Sequence, residues 1–246
     1  MEKSWKLTEE QANKIRRSEE TKRNEMQDLY EYNKYVMQQR NQFEIIMFYI
    51  NELINELKDY GEVSEYTEVR ARIKAAKSAL DNDTIKTLDD VFGMELITIT
   101  EDEMEIVMQK IQEFMTVQKA KNHDKPNGYK AKHRIMTFKQ SELGRLGIDE
   151  SKFDVVPMIE FQFKTFETIM RCLKGPAEHT VYKGEKKEKI QEKFDNNEYN
   201  IFEVPTMWVS RNNKMCMLTM EETLKKMYPF LRTKKRADKE QDMKGE

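Results

Sequence analysis

The first long pattern in the chain is helical. Residues 8–58 contain no Gly or Pro, and from Leu29 onward apolar residues recur at helical spacing. This predicts two helices, or one long broken helix, closed at Tyr60-Gly61. Before Leu29 the apolar stripe is thin, so we expect a solvated helical arm there. The stripe consists of Leu29, Tyr32, Val36, Phe43, Ile46, Met47, Ile50, Leu53, Ile54 and Leu57.

The next pattern predicts a helix followed by a βα unit. EYTEVRARIKAAKSALDND reads as a helix whose basic residues crowd between Arg70 and Lys77. The segment Asp89 to Thr100 alternates near its end and predicts a strand. Directly after it, six apolar residues lie on one helical face. They are Met104, Val107, Met108, Ile111, Phe114 and Met115.

The second half of the chain favours further strands. We predict strands over His133 to Phe138 and over Asp154 to Thr165, where apolar and polar residues alternate. A short helix follows to Leu173, and a later hairpin turns at Arg211 to Lys214. A last helix ends by Pro229. The fold class predicted is therefore α+β, with a mixed β-sheet flanked by helices.

The amino-acid composition is typical of a heavily charged globular protein. The 246 residues are 38% hydrophobic and 36% charged, with a formal net charge of −2. Any anionic ligand must therefore be held by local clusters rather than by the overall field. No apolar run is long enough to span a bilayer, and the first twenty residues lack a secretory pattern, so we expect a cytoplasmic protein without membrane contact. Cys172 and Cys216 are too few for a disulfide scaffold and are predicted to be buried thiols.

The stretch KPNGYKAKH, Lys125 to His133, is the first candidate for chemistry. Asn127-Gly128 can turn sharply because Gly accepts positive φ, which leaves Tyr129 projecting from a tight bend. Its ring could stack a purine base. The alternative is an ordinary hairpin turn whose Tyr covers an edge of the core.

Two further clusters carry charge. On the predicted helix, Lys74 and Ser78 lie one turn apart, so that with Arg72 and Lys77 they could converge on phosphate oxygens. The alternative is a solvated basic face.

The other charged cluster lies on a strand. Glu160, Gln162 and Lys164 share one face of the predicted strand, and Asp90 lies at the mouth of another. Two carboxylates brought together by a sheet could hold Mg²⁺, and one could accept a proton from an attacking hydroxyl. The alternative is a sheet face in water.

The order of these motifs is more specific than any one of them. R-x-K-x-x-x-S begins at Arg72, D-x-x-G at Asp90, NGYKAKH at Asn127, EFQFKT at Glu160 and HTVYK at His179. Together they resemble the (p)ppGpp synthetase domain of the RelA/SpoT family over roughly residues 65–185. The resemblance implies a mixed sheet with flanking helices. It also suggests residues 1–60 as a helical arm, 61–232 as the synthetase domain and 233–246 as a charged, disordered tail.

The resemblance implies an ATP-dependent pyrophosphokinase that works with Mg²⁺. In that family the β,γ-pyrophosphate of ATP moves to the 3′-hydroxyl of GDP or GTP, which makes alarmones of the stringent response. The implied ATP-binding residues are Arg72, Lys74, Lys77 and Ser78. The implied catalytic and metal-binding residues are Asp90 and Glu160. The implied acceptor-binding residues are Asn127, Tyr129, His133, Gln162 and Lys164.

The sequence departs from the family pattern at several positions. Glu95 occupies the place of a second arginine expected beside adenine, and Lys164 the place of another Arg. Asn82 replaces a downstream lysine. The segment before the loop reads KAKNHDKP, where Lys119, Lys121 or Lys125 could serve instead.

Three functions stay open from the sequence. The acceptor could be a nucleotide, or it could be the 3′ CCA end of tRNA, as in toxin-like members of the family. A tRNA acceptor could use Arg16, Arg17, Lys22 and Arg23, and an antitoxin protein would then be an expected partner. A degenerate nucleotide-binding regulator is the third function, and homo-oligomer formation is also open.

Overall fold

The computed structural model describes residues 9–80, 88–144, 156–174 and 186–232. The strands are β1 (Glu68–Ile73), β2 (Phe92–Thr98), β3 (Met115–Asp124), β4 (Lys130–Phe138), β5 (Ile159–Thr165), β6 (Thr206–Arg211) and β7 (Lys214–Met217). The helices are α1 (Glu9–Asp59), α2 (Ala76–Leu80), a 3₁₀ turn (Leu88–Asp90), α3 (Glu101–Phe114), α4 (Gln140–Leu143), α5 (Phe166–Lys174), α6 (Lys187–Asp195) and α7 (Met220–Met227). The predicted tail and the HTVYK segment lie outside the described residues.

The seven strands form one sheet in the order β3-β4-β5-β2-β1-β6-β7. The central pair, β2 and β5, is parallel, and the other neighbours are antiparallel. Because β2 and β5 are parallel, the chain needs a long crossover between them, and α3 with the β3–β4 hairpin provides it. The prediction of a mixed sheet flanked by helices is confirmed.

One unbroken helix, α1, covers the apolar face of the sheet. It runs for 51 residues, so the alternative of two helices and the break expected in a single helix are both wrong. Phe43, Ile46 and Ile50 are fully buried in the same core as Phe92 of β2 and Phe161 of β5. Helix α3 adds Phe114 and other apolar residues to this core. From Lys14 to Asp28, by contrast, the described side chains of α1 are exposed.

The helix predicted over EYTEVRARIKAAKSALDND is wrong in its first half. Glu68–Ile73 forms β1, which is paired on both sides, with β2 and with β6. Val69, Ala71 and Ile73 are buried, while the residues between them face the other side. Arg, Ala and Glu favour helices in isolation, but pairing along two edges and a buried alternate face outweigh that propensity. In the described part of this segment, up to residue 80, only Ala76–Leu80 is helical.

Strand β3 was not predicted from the sequence. Nearly all of its residues are exposed, so it carries no alternation of buried and exposed positions. It forms a strand because it pairs along its length with β4, with a register shift between Val117 and Lys119. As the edge of the sheet, it carries lysines that discourage pairing with another chain.

The C-terminal hairpin follows its prediction. Asn212 and Asn213 both have positive φ, which two-residue hairpin turns require. The carbonyl oxygen of Asn213 accepts hydrogen bonds from the side-chain amides of Asn51 and Asn55, 2.9 Å each, which fixes the turn against α1. Helix α7 begins with a capping box at Thr219. It ends before Pro229, as predicted.

Two further predictions can be compared with the structure. The cysteines are not buried: Cys172 and Cys216 are both partly exposed, because one lies on the short helix α5 and the other on the edge strand β7. Within the four described ranges, no helix is long and apolar enough to cross a membrane.

Candidate active site

The polar face of the sheet gathers charged residues from four adjacent strands. On β1, β2 and β5, alternate residues that do not enter the core point to this face. They are joined by His133 of β4, which lies opposite Gln162. The residues of this face are Arg70, Arg72, Gly93, Glu95, His133, Glu160, Gln162 and Lys164. We call this set the polar face.

A glycine allows one contact across the sheet. Arg72 on β1 and Glu160 on β5 both lie beside Gly93, which separates them on β2. Arg72 extends over Gly93, where an added Cβ would come within 3.0 Å of its Nε atom. Its guanidinium reaches Oε2 of Glu160 at 3.4 Å. The missing side chain at Gly93 therefore lets Arg72 pair with a carboxylate two strands away.

Glu160 also connects to the hairpin. Its Oε1 atom lies 3.0 Å from Nδ1 of His133, and Nε2 of His133 lies 2.9 Å from the hydroxyl of Tyr129. Gln162 donates to Oε2 at 2.8 Å. Burial alone would raise the pKa of Glu160, but these hydrogen bonds and the charge of Arg72 lower it to about 2. Glu160 is therefore a fully ionised carboxylate at neutral pH.

The turn between β3 and β4 positions Tyr129. The backbone N–H of Tyr129 donates to Oδ1 of Asn127 at 3.2 Å, and Gly128 has φ of +84°. A Cβ at Gly128 would come within 2.8 Å of Nη1 at the flexible end of Arg171, which can shift, so it is the positive φ that favours glycine here. The segment is an ordinary hairpin turn, as one alternative predicted, and it also brings Tyr129 to the polar face.

Cations surround the Tyr129 ring. The ammonium groups of Lys125 and Lys164 each lie 5.5 Å from the ring centroid, within the range of cation–π attraction. His123 and His133 meet the ring edge-on. Burial raises the pKa of the Tyr129 hydroxyl, so the phenol stays neutral at physiological pH. The site thus presents a neutral aromatic ring beside positive charge.

Sequence reasoning missed a second ionic cluster. Lys164, only 7% exposed, donates to Oε1 of Glu95 at 2.6 Å, and Arg70 donates to the other oxygen at 3.0 Å. Burial would raise the pKa of Glu95, but Lys164 and Arg70 lower it to about 2. Burial would lower the pKa of Lys164, but the charge of Glu95 raises it. The alternation of Val69 and Ala71 with Arg70 is the sequence signal that could have placed Arg70 here.

The residues expected to bind phosphates are arranged differently from the prediction. Lys74 lies between β1 and α2, not on the same helix as Ser78, because the chain there is a strand end. Its ammonium pairs with Asp90 at 2.7 Å, and its carbonyl accepts from Tyr32. Lys77 is exposed and pairs with Glu203 at 3.1 Å. The structure thus places Lys74 and Asp90 together at the start of β2, and leaves Lys77 at the surface.

Asp90 and Glu160 are the two carboxylates that the sequence predicts as magnesium ligands. They lie near the starts of β2 and β5, which run parallel, so both carboxylates belong to the same end of the sheet. Throughout the described part of the chain, no group of three or more acidic, His or Cys side chains could hold a metal ion. Mg²⁺ commonly takes one or two carboxylates and completes its shell with water and substrate phosphates. Two carboxylates are sufficient for that mode.

A shallow cavity opens on the same face. It has a volume of about 170 Å³ and lies over β1 and β2, next to the Arg72–Glu160 contact. Its lining comprises Arg70, Ala71, Arg72, Gly93, Met94, Glu95, Gln162 and Met207. The cavity and Tyr129 therefore lie on opposite sides of Glu160, which joins them through Arg72 and His133.

Comparison with known proteins establishes the fold. The small alarmone synthetase 1 from Bacillus subtilis, bound to its product pppGpp, matches with a TM-score of 0.50 and 18% identity over 65% of this chain and 85% of that chain. A GTP pyrophosphokinase family protein from Streptococcus pneumoniae matches with a TM-score of 0.47 and 16% identity over 68% of this chain and 85% of that chain. No protein-family model matches the sequence, and no curated protein is significantly similar to it. The first match shows that this chain has the fold of a small alarmone synthetase.

Proposed function

We propose that the chain is an ATP-dependent pyrophosphokinase that transfers the β,γ-pyrophosphate of ATP to a 3′-hydroxyl. The observation that carries the proposal is the continuous row of contacts from Arg72 through Glu160 and His133 to Tyr129. This row joins the cavity over β1 and β2 to an aromatic ring that can stack a base. Phosphoryl-type transfer depends mainly on such alignment and on neutralisation of charge.

ATP binds, in this proposal, on the β1–β2 side. The side chain of Arg72 is about one-third exposed, and one face of its planar guanidinium stacks on adenine. Lys74, Lys77 and Ser78 bind the triphosphate. Lys74 must then leave Asp90, and Asp90 with Glu160 takes Mg²⁺, which neutralises phosphate charge when bound. In the free protein, Lys74 already supplies a positive charge where the metal would bind.

The acceptor binds on the β4–β5 side. Its base stacks on Tyr129, and Lys125, which is exposed, can move aside to open one face of the ring. His133 and Gln162 hydrogen-bond to the acceptor, Lys164 neutralises its phosphate charge, and Asn127 holds the turn in shape. These roles place the acceptor's sugar next to Glu160.

The transfer itself is a displacement at the β-phosphorus of ATP. The acceptor's 3′-oxygen forms a bond to that phosphorus while the bond to the α–β bridging oxygen breaks. AMP leaves with the bridging oxygen, and the hydroxyl proton passes to solvent or to a nearby base. Glu160, an ionised carboxylate in the free protein, contributes negative charge next to the acceptor's sugar.

The β3–β4 hairpin favours a second candidate acceptor, the 3′ end of an RNA such as tRNA. From Met115 to Phe138 the sequence has six Lys or Arg residues and one acidic residue, although the whole chain is slightly negative. Lys119 and Lys132 form ion pairs with Asp89 and Glu105. Lys121 and Lys130 are exposed, and no acidic side chain among the described residues pairs with them. A polyanion entering the site would meet this charge.

A labelled-acceptor assay separates the two candidates. Purified protein is incubated with γ-labelled ATP and, in parallel, with GDP, GTP, adenosine nucleotides or deacylated tRNA. Label on a guanosine nucleotide supports alarmone synthesis, and label on tRNA supports a toxin that blocks translation and has an antitoxin as partner. Lys121→Glu with Lys130→Glu should slow labelling of tRNA at least about tenfold, because each lost phosphate contact weakens binding, and should leave GDP labelling unchanged. Absence of label on every acceptor would contradict both.

A regulator without turnover is a weaker candidate. The residue that favours a regulator is Glu95, which is acidic where the family pattern has an arginine. Since Lys164 and Arg70 both pair with Glu95, its charge is neutralised within the sheet. A regulator would bind ATP in a calorimeter without ever forming product.

A further inference from the structure

Helix α1 carries an apolar stripe that faces solvent. Met26, Tyr30, Met37 and Phe48 are 73%, 61%, 79% and 49% exposed. At about 100° per residue, these four positions fall within roughly 40° of the helix circumference. Scattered exposed apolar residues are normal, but a row of large ones along one line of a helix marks an interaction surface. We call these four residues the outer stripe.

The two ends of the outer stripe lie symmetrically about Met37. Met26 lies eleven residues before Met37, and Phe48 lies eleven residues after it. Counted from Met37, the positions on the same side of the helix lie four, seven and eleven residues away in each direction. An antiparallel copy of the helix, crossing at Met37, would therefore meet matching positions throughout. The pairs formed are Met26 with Phe48, Tyr30 with Glu44, Asn33 with Asn41, and Met37 with its own copy.

We propose that the occupant of the outer stripe is α1 of a second copy of this chain, in an antiparallel, two-fold symmetric dimer. The four pairs nearest the crossing are chemically compatible. Methionine sulfur packs favourably against an aromatic ring, and the Tyr30 hydroxyl can donate to the Glu44 carboxylate. Asn33 and Asn41 can exchange amide hydrogen bonds, and buried Asn pairs fix helix register. Two-fold symmetry makes each of these contacts twice.

Charge supports the same register. Crossing at Met37 places residues 14–23 of one copy opposite residues 51–60 of the other. The first segment has five basic and two acidic residues, and the second has three acidic and one basic. A parallel pairing would place each segment against its own copy and would set like charges together. The antiparallel arrangement attracts at both ends.

The overlap is large enough for a stable dimer. Residues 15–59 span about 70 Å of helix, and a contact strip about 10 Å wide buries roughly 700 Å² per copy. The total, about 1,400 Å², lies within the range of specific protein–protein interfaces. The repeat of eleven residues over three turns also keeps the contact line almost straight along both helices.

Analytical ultracentrifugation of the full chain tests the proposal, which does not depend on the proposed function. The unaltered chain should sediment as a dimer at tens of micromolar, with the monomer fraction rising at high salt. Met37→Glu should give monomers, because it places two carboxylates face to face on the symmetry axis. Gln38→Glu is the matched control: it adds the same charge one residue away, off the stripe, and should remain dimeric. A monomeric unaltered chain, or a Met37→Glu protein that assembles like the Gln38→Glu protein, would overturn the proposal.

A cross-link gives a second, independent readout. Backbones at a two-fold helix crossing lie close enough for a disulfide, so Met37→Cys should form a covalent dimer under mild oxidation. Gln38→Cys should not, and the unaltered chain controls for Cys172 and Cys216. Equal cross-linking of both variants would contradict the symmetric register. Both substitutions fall at exposed positions, so loss of folding does not confuse the result.

Discussion

Neighbouring residues on β5 show how differently the two faces of the sheet are built. Phe161 is fully buried in the core under α1, and Glu160, one residue before it, points to the polar face. On the core face, apolar side chains pack against one another, so exchange of one apolar residue for another keeps an apolar contact. On the polar face each group has specific partners, and Glu160 alone contacts Arg72, His133 and Gln162. The core face stabilises the protein, and in our proposal the polar face positions the reacting groups.

Glu160→Gln should have the largest effect. It removes the charge that Arg72 and His133 surround, so we expect pyrophosphate transfer to fall at least about a hundredfold. ATP binding, measured by calorimetry, should persist within a fewfold, because Arg72 and Lys74 remain. Retained transfer activity in this variant would show that the carboxylate has no part in the reaction.

Phe161→Ala tests the other face at the next position along the chain. Loss of a fully buried ring should lower the free energy of unfolding by about 3–5 kcal/mol, measured in a denaturant titration. Activity per folded molecule should stay near that of the unaltered protein. If Phe161→Ala abolished transfer in folded protein as Glu160→Gln does, the core face would not act through stability alone, and the proposed difference in role between the two faces would be wrong.

Glu95→Gln should destabilise the protein by about 3 kcal/mol at neutral pH, because it leaves Lys164 buried without its partner. The folded-state pKa of Glu95 is lowered from 4.5 to about 2, so its stabilising contribution is present above pH 4.5 and is lost as pH falls toward 2. The difference between variant and unaltered protein should shrink over that interval. Adding Lys164→Met should recover part of the loss, and a double variant less stable than Glu95→Gln would argue against the pairing.

Gly93→Ala should have a smaller effect. The new methyl group displaces Arg72 by a few tenths of an ångström, so the KM for ATP should rise about fivefold to tenfold while unfolding changes little. Gly144→Ala is the control, because a Cβ there meets open space. Equal KM values for ATP in the two variants would show that Arg72 does not contribute to ATP binding.

Patterns governed by burial could be predicted from the sequence. The core stripe of α1, the strand around Phe161 and the turn at Asn212 each follow a local rule, and the structure confirms all three. Residues Tyr129, His133 and Glu160 could be chosen from motifs and do lie together. The roles that the resemblance assigns to them stay predictions.

The remaining features depend on partners that are distant in sequence. Strand β3 forms only because β4 pairs with it, and β1 forms although its residues favour a helix, because β2 and β6 lie on both sides. The link between Lys164 and Glu95 joins residues 69 positions apart, and neither residue type indicates its partner. The sequence indicates a missing cation at Glu95, and the structure shows that Arg70 and Lys164 neutralise this carboxylate.

Whether the β- and γ-phosphates move together tests pyrophosphate transfer most directly. ATP labelled at the β-phosphate and, separately, at the γ-phosphate is supplied with the acceptor that works best, and product and AMP are quantified. We expect both labels to reach the acceptor in equal amounts, with one AMP released for each product formed, and neither to move in Glu160→Gln. Movement of the γ-label alone, or release of AMP without labelled acceptor, would contradict pyrophosphate transfer at this site.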